Sequence, residues 1–159
     1  MIKTIHAESL SPLCRVGIVV SRFNSEITEK LAEGAIERLS ELGFSSALIT
    51  LIWVAGAVEI PLTAKRLAQT GQVDVIIALG AVIQGETAHM QYVCDQVSQG
   101  CQHVMLTQDI PIVFGVLTTD NEKQALDRIG GHHGHKGRDA ADVAYEMVSI
   151  LRQIDSLSS

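Results

Sequence analysis

Aromatic side chains are scarce in this chain: one Trp, two Tyr and three Phe among 159 residues. Val, Ile, Leu and Ala must therefore do the packing, a bias that suits a parallel sheet buried under helices on both faces. Cysteine is equally sparse. Cys14, Cys94 and Cys101 form no C-x-x-C pair and are odd in number, so buried thiols are expected rather than a disulfide or a nucleophile. No basic stripe is present, and the net charge is −6. That balance excludes an extended polyanion such as nucleic acid, yet it leaves room for a phosphorylated metabolite in one locally positive pocket. No apolar run reaches the length of a membrane span. The first fifteen residues, Met1 to Arg15, lack the uninterrupted apolar stretch of a secretory leader, so a cytoplasmic location is expected. A Walker loop, a G-x-G-x-x-G fingerprint and a nucleophile elbow are missing too, which argues against an NTPase, a dehydrogenase and a hydrolase.

What is present is ordinary globular material, 47% apolar, with no linker, internal repeat or low-complexity tract, so one domain over 1–159 is expected. Short apolar runs alternate with longer amphipathic ones. Val16–Val20 reads as a buried strand, and Ile27, Leu31, Ala35 and Leu39 then recur at helical spacing. Asn24 or Ser25 is placed to cap that helix and Gly43 to end it. Ala47–Val54 reads as a second strand, and Pro61 fits the first turn of the helix after it, which ends near Gly71. Val75–Leu79 is a third strand. A long helix follows Thr87, with Met90, Val93, Cys94, Val97, Cys101, Val104 and Met105 on one face. A fourth strand runs from Pro111 through Val116, helices lie near Glu122–Ile129 and Arg138–Ile154, and four glycines between 130 and 137 suggest a flexible loop. Ile2–Ala7 reads as an added strand suited to pairing with a neighbouring subunit.

In an open parallel sheet, ligands bind beyond the carboxyl ends of the strands. Phe23 follows the first strand, Glu59 the second, and Thr87 with His89 the third, while Phe114 lies in the fourth. Thr87 and His89 are either a simple helix cap with a solvated helix residue, or a cap whose helix amides face an anion with an imidazole beside it that can exchange a proton near neutral pH. Phe23 is either core packing or an aromatic platform; Glu59 is either a first-turn charge or an acceptor for hydroxyls. Arg128 and Lys136 offer phosphate contacts, although such residues more often serve a solvated surface. His132, His133 and His135 invite a metal, but no further ligand spacing builds a shell around them, and no cofactor is expected.

Taken together, Ser21-Arg22-Phe23-Asn24, Gly56-Ala57-Val58-Glu59-Ile60-Pro61, the run from Gly80 to His89, Phe114-Gly115-Val116-Leu117-Thr118-Thr119 and the late Arg128/Lys136 region resemble the lumazine synthase family. They occur in the family's order and span Val16–Leu151. The pattern G-x-V-I-x-G-x-T-x-H is especially specific when joined to the earlier glutamate loop. The resemblance implies a three-layer α/β/α sandwich, a flavodoxin-like four-stranded parallel sheet of order 2134 with an additional N-terminal strand. It implies condensation of 5-amino-6-(D-ribitylamino)uracil with L-3,4-dihydroxy-2-butanone 4-phosphate to 6,7-dimethyl-8-ribityllumazine, in the penultimate step of riboflavin biosynthesis. It also implies homopentamers, twelve of which can form a 60-subunit shell, and an association with riboflavin synthase.

Carried onto this sequence, the resemblance makes Phe23 a stacking platform for the uracil and gives the ring and ribityl chain to Ala57, Val58 and Glu59. Ala81, Val82 and Ile83 line the uracil side, and Glu86 and Thr87 frame the phosphate. His89 moves protons, Arg128 neutralises the phosphate, Lys136 adds a second polar contact, and Phe114 forms a pocket wall from an adjacent subunit. Four positions depart from common family versions. Val58 stands where an aromatic is frequent, Gln84 where arginine is, and His132 and His135 alter a loop that often carries Lys and Asn. Altered affinity or loop charge is expected from them rather than lost activity. The alternative reading is an inactive flavin- or lumazine-binding shell protein, which product formation would separate from the enzyme.

Overall fold

The strands Val16–Ser21 (β1), Ile49–Val54 (β2), Val75–Ile83 (β3) and Ile112–Thr119 (β4) form one parallel sheet in the order β2-β1-β3-β4. This is the arrangement in the computed structural model, which describes residues 1–9 and 13–158. Helices Ser25–Glu41 (α1) and Lys136–Asp155 (α5) cover one face, and Ile60–Gln69 (α2) and His89–Gln108 (α3) cover the other. The result is a three-layer, flavodoxin-like α/β/α sandwich. Strand alternation sorts the core: Val16, Ile18 and Val20 meet α1 and α5, while Val19, Ile76 and Ala78 meet α2 and α3. Ile18, Ile76, Ile77 and Leu79 are fully buried, so truncating any of them to Ala would cost about 2–5 kcal/mol. Burial pushes the Cys14 and Cys101 thiols up to about 11, and they act as small core hydrophobes.

Helix ends follow their chemistry. Gly43 and Gly71 adopt φ of 94° and 68° just beyond α1 and α2, where a side chain would be strained. Pro61 occupies the first turn of α2. The apolar face of α3 is largely as expected, with Val97, Cys101 and Val104 buried and Val93 and Met105 packed against the same core. Leu62, however, is 62% exposed, because Ile60 and Ala64 carry the buried face of α2.

Several boundaries differ from the sequence reading. A short 3₁₀ turn over Ser46–Leu48 precedes β2, so that strand starts at Ile49 rather than Ala47. As an outer strand β2 is not buried on both faces, and its Leu51 and Trp53 are partly exposed. β3 does not stop at Leu79: pairing with β4 carries it on, Ala81 against Leu117 and Ile83 against Thr119. Beyond the short helix Glu122–Leu126 (α4), the glycine-rich segment is an antiparallel hairpin of Ile129–Gly131 (β5) and Gly134–His135 (β6), not an irregular loop.

The N-terminal segment lies along α5. The Glu8 amide donates to Ser149 Oγ at 2.7 Å, and Gln153 Nε2 donates to the His6 carbonyl at 2.7 Å. Residues 1–9 do not enter the sheet of their own chain. Residues 10–12 of the stretch inspected for a leader lie outside the described residues. Among the described residues no helix is long and apolar enough to cross a membrane.

Candidate active site

The carboxyl ends of β1, β2 and β3 open into a cavity of about 350 Å³, within the range of about 300–1,000 Å³ usual for small-molecule sites. Phe23 and the turn Gly56-Ala57-Val58 form two of its sides. The last residues of β3, Ala81, Val82 and Ile83, form its floor, and Gly85, Thr87 and His89 close the end nearest α3. The lining is mainly apolar with a few polar groups, the distribution expected of a small-molecule site.

Phe23 reaches this cavity because the β1–β2 ladder continues past the strands. The amide of Arg22 donates to the Val54 carbonyl at 2.7 Å and that of Phe23 to the Ala55 carbonyl at 3.0 Å. At 71% exposure Phe23 is not core packing within the chain. Asn24 holds the turn in the left-handed region, φ 63° and ψ 45°. Asn24 is the N-cap position of α1, as read from the sequence, but its side chain makes no capping bond; Nδ2 donates instead to the carbonyl of Ala81 at 2.8 Å.

Glu59 lies outside the cavity walls. Its Oε1 accepts the Gly56 amide at 2.8 Å, closing the tight turn that presents Ala57 and Val58. Glu86 is exposed in the next loop and also lies outside the walls. Thr87 sits one position too early to be the N-cap of α3, which is Ala88; its Oγ1 still accepts the His89 amide, at 3.4 Å. Gln84 folds back over this loop, and its Nε2 donates to the carbonyls of Gly85 and Thr87, both at 3.2 Å.

Arg128, Lys136 and Phe114 do not reach the cavity within one chain. Arg128 and Lys136 line a separate depression beside the outer edge of β4, together with His133 and Asp139. Phe114 and Lys136 border an apolar groove along the same edge. The two basic residues flank the base of the β5–β6 hairpin, where the Lys136 amide donates to the Arg128 carbonyl at 2.7 Å. The guanidinium of Arg128 is partly tethered, its Nη1 donating to the Gln124 carbonyl at 2.8 Å. Site residues named from the sequence therefore fall on two surfaces of the monomer. Among the described residues, no group of three or more His, Cys, Asp or Glu is gathered closely enough to hold a metal ion.

Sequence reasoning passed over Gly56, Gly85, Met90 and Val93 as cavity walls. Met90 and Val93 fit the apolar period of α3 and were indistinguishable from packing residues. The bonds made by Asn24 and Gln84 had no periodic signal at all.

Fold and cavity together define a flavodoxin-like α/β protein with a small-molecule site at the carboxyl edge of its sheet. The family model described as 6,7-dimethyl-8-ribityllumazine synthase matches residues 13–152, and the chain belongs to that family. It is 52% identical over 141 residues to the 6,7-dimethyl-8-ribityllumazine synthase of Coxiella burnetii (strain RSA 493 / Nine Mile phase I), covering 89% of this chain and 93% of that protein. It is 46% identical over 153 residues to the enzyme of the same name from Edwardsiella ictaluri (strain 93-146), covering 96% and 98% respectively.

Proposed function

We propose that the chain condenses 5-amino-6-(D-ribitylamino)uracil with L-3,4-dihydroxy-2-butanone 4-phosphate to 6,7-dimethyl-8-ribityllumazine, releasing phosphate and water. The observation that carries this reading is the convergence of Phe23, the Ala57–Val58 turn, the end of β3, Thr87 and His89 on one cavity. The exposed ring of Phe23 stacks on the pyrimidine, while Ala57, Val58, Ala81, Val82 and Ile83 set the shape of its slot. Glu59, at the end of the same turn, accepts from ribityl hydroxyls. Glu86 and Thr87 frame the phosphate end.

The chemistry takes place between the substrates. The 5-amino group attacks the ketone carbonyl, and loss of water gives an imine. Elimination of phosphate across C3–C4 leaves an enol that ketonises to a new carbonyl at C3, and attack by the ribitylamino nitrogen on that carbonyl closes the ring with loss of a second water. Each stage moves a proton, and His89 is placed at the cavity to carry it, a contribution of about 10²–10⁴-fold. Alignment of the two substrates contributes at least as much, since an oriented pair avoids the entropy of encounter.

Arg128 neutralises the phosphate and eases its departure, with Lys136 as a second contact and Phe114 as a wall. Because these three lie along the β4 edge, away from their own chain's cavity, they serve the cavity of an adjacent copy. The assembly is a homopentamer with five shared sites, capable of building a 60-subunit shell that associates with riboflavin synthase. Strand pairing by Ile2–Ala7 belongs to the same contacts between copies. Each copy contributes one domain, over 1–159, to a cytoplasmic enzyme.

Anaerobic turnover of the purified protein with both substrates, following lumazine and phosphate over time, tests this reading. Coupled appearance of the two above the uncatalysed rate is expected. Binding of either substrate without accelerated product formation would overturn it.

A further inference from the structure

α5 begins on an unusual cap. His135 has extended backbone angles, φ −135° and ψ 105°, and its Nδ1 accepts the amides of Gly137 at 3.1 Å and Arg138 at 3.3 Å. These are the second and third helical positions, the donors that a capping Ser, Asp or Asn would satisfy. An imidazole can do so only when neutral, with its hydrogen on Nε2.

The ring is seated against α1 by a glycine. A Cβ at Gly34 would fall on the imidazole, 2.6 Å from Nε2 and 2.7 Å from Nδ1. Glycine inside a helix costs about 1 kcal/mol relative to alanine, and here the freed space is filled by the His135 ring. Gly137 continues the close approach: a Cβ there would overlap the Leu31 carbonyl oxygen. Ring, cap and both glycines thus form one packed contact between α1 and the start of α5.

That contact sits at the foot of the β5–β6 hairpin. His135 is its last strand residue and pairs with Ile129; Lys136 follows immediately, and its amide bonds to the Arg128 carbonyl. Fixing His135 therefore fixes the main chain of both basic residues.

We propose that His135 is a positioning residue that holds Arg128 and Lys136 in their phosphate-binding placement, and that its protonation releases them. The proposal rests on the reading of those two residues as phosphate ligands. A protonated imidazole has no acceptor, so both capping bonds break, and its positive charge opposes the amino end of the α5 dipole.

The charged groups on the packed elements do not replace this arrangement. On α1, Glu37 and Glu41 pair with Arg138, Arg38 pairs with Glu41 and Asp142, and Lys30 pairs with Glu33. On the hairpin, His132 and His133 meet edge to face, while Arg128, Lys136 and Asp139 border the depression. Among the described residues, no carboxylate bonds to either ring nitrogen of His135.

The test compares wild type, His135→Ala, His135→Asn and Gly34→Ala, with Arg128→Ala as control, in steady-state assays from pH 5.5 to 8. His135→Ala should raise KM for the phosphate-bearing ketone by about tenfold, in proportion to the loss of a helix cap, with KM for the uracil amine unchanged. His135→Asn, which restores an acceptor that does not titrate, should return KM to the wild-type value at pH 8. Wherever the imidazole becomes protonated, the wild-type KM should climb away from that of His135→Asn. Gly34→Ala, which dislodges the ring without touching the hairpin, should mimic His135→Ala. Amide exchange at Gly137 and Arg138, measured without substrate, should accelerate in His135→Ala and Gly34→Ala.

If Arg128→Ala raises KM for the ketone while folded His135→Ala does not, the positioning role is wrong. A wild-type acid response that persists in His135→Asn removes the protonation step. Should Arg128→Ala itself leave that KM unchanged, the phosphate reading fails and the proposal falls with it.

Discussion

The side-chain amide of Asn24 donates to the main-chain carbonyl of Ala81 at 2.8 Å, joining the turn after β1 to the end of β3 across the floor of the cavity. Phe23 precedes Asn24 and depends on that turn for its direction. Two demands meet at the position: a left-handed backbone and a side-chain donor of the right length. Asn24→Gly keeps the first and loses the second, whereas Asn24→Ala loses both. Asn24→Gly should destabilise the fold by about 1 kcal/mol and Asn24→Ala by about 2 kcal/mol. Both should weaken binding of the uracil amine more than that of the phosphate ketone. Denaturant melts and calorimetric titration with each substrate check the order; equal effects of the two variants would show that the backbone conformation is not at issue.

His89 and Arg128 should separate in kinetics as they do in space. His89→Ala keeps the fold, because the residue is exposed at the start of α3, and should lower kcat by about 10²-fold or more with modest change in either KM. An unchanged rate at saturating substrates would reject its part in proton transfer. Arg128→Ala should raise KM for the ketone phosphate far more than KM for the uracil. Equal use of that ketone by variant and wild type would remove the assignment.

The division of site residues between two surfaces allows a direct test of sharing. His89→Ala spoils the cavity side and Arg128→Ala the β4-edge side, so with the ketone phosphate held well below the raised KM of Arg128→Ala each homomeric assembly should be nearly inactive. When both chains are expressed together and assembled at random, about a quarter of the sites combine an intact cavity with an intact edge, given heterologous contacts around a closed ring. Activity of the mixture should rise to about that fraction of wild type. Activity no higher than the average of the two parents would place both residues in sites built from one chain.

How much of this was legible beforehand depends on how local each signal is. Periodicity located α3 and its buried Val97, Cys101 and Val104, because those residues repeat along one helix and pack on one sheet face. The motif from Gly80 to His89 marked one wall of the cavity even though its first four residues belong to β3 rather than to a loop. Non-local pairing decided that boundary, since β4 continues alongside through Thr119. The glycines between 130 and 137 suggested a loop for the same reason: a two-residue strand such as Gly134–His135 has no pattern of its own. Asn24 was read as a cap because capping is the commonest use of its type, and only the fold brings Ala81 within reach of its amide. The separation of Arg128 and Lys136 from the cavity is a property of three dimensions and had no trace in their spacing.

At the opposite end of the sheet, Asp74 ties the entry to β3 onto the entry to β1. It accepts the Arg15 amide at 2.7 Å and the Arg15 Nη2 at 3.2 Å, and Arg152 of α5 approaches at 3.6 Å. Burial alone would push its carboxyl upward, but the hydrogen bonds from Arg15 and the charges of Arg15 and Arg152 together hold it below its ordinary value. A carboxyl whose pKa is lower in the folded chain than in the unfolded one stabilises the fold above the unfolded pKa and loses that contribution as pH falls through the folded one. Asp74→Asn should thus be less stable than wild type by roughly 1 kcal/mol near pH 7, a modest figure because Arg15 is partly exposed and screened by solvent. The gap should hold steady down to about pH 5 and close below about pH 4, the ordinary carboxylate range. Urea denaturation at a series of pH values measures it directly. A gap that persists undiminished at pH 3 would mean that Asp74 acts through its shape and hydrogen-bonding pattern, with its charge contributing nothing.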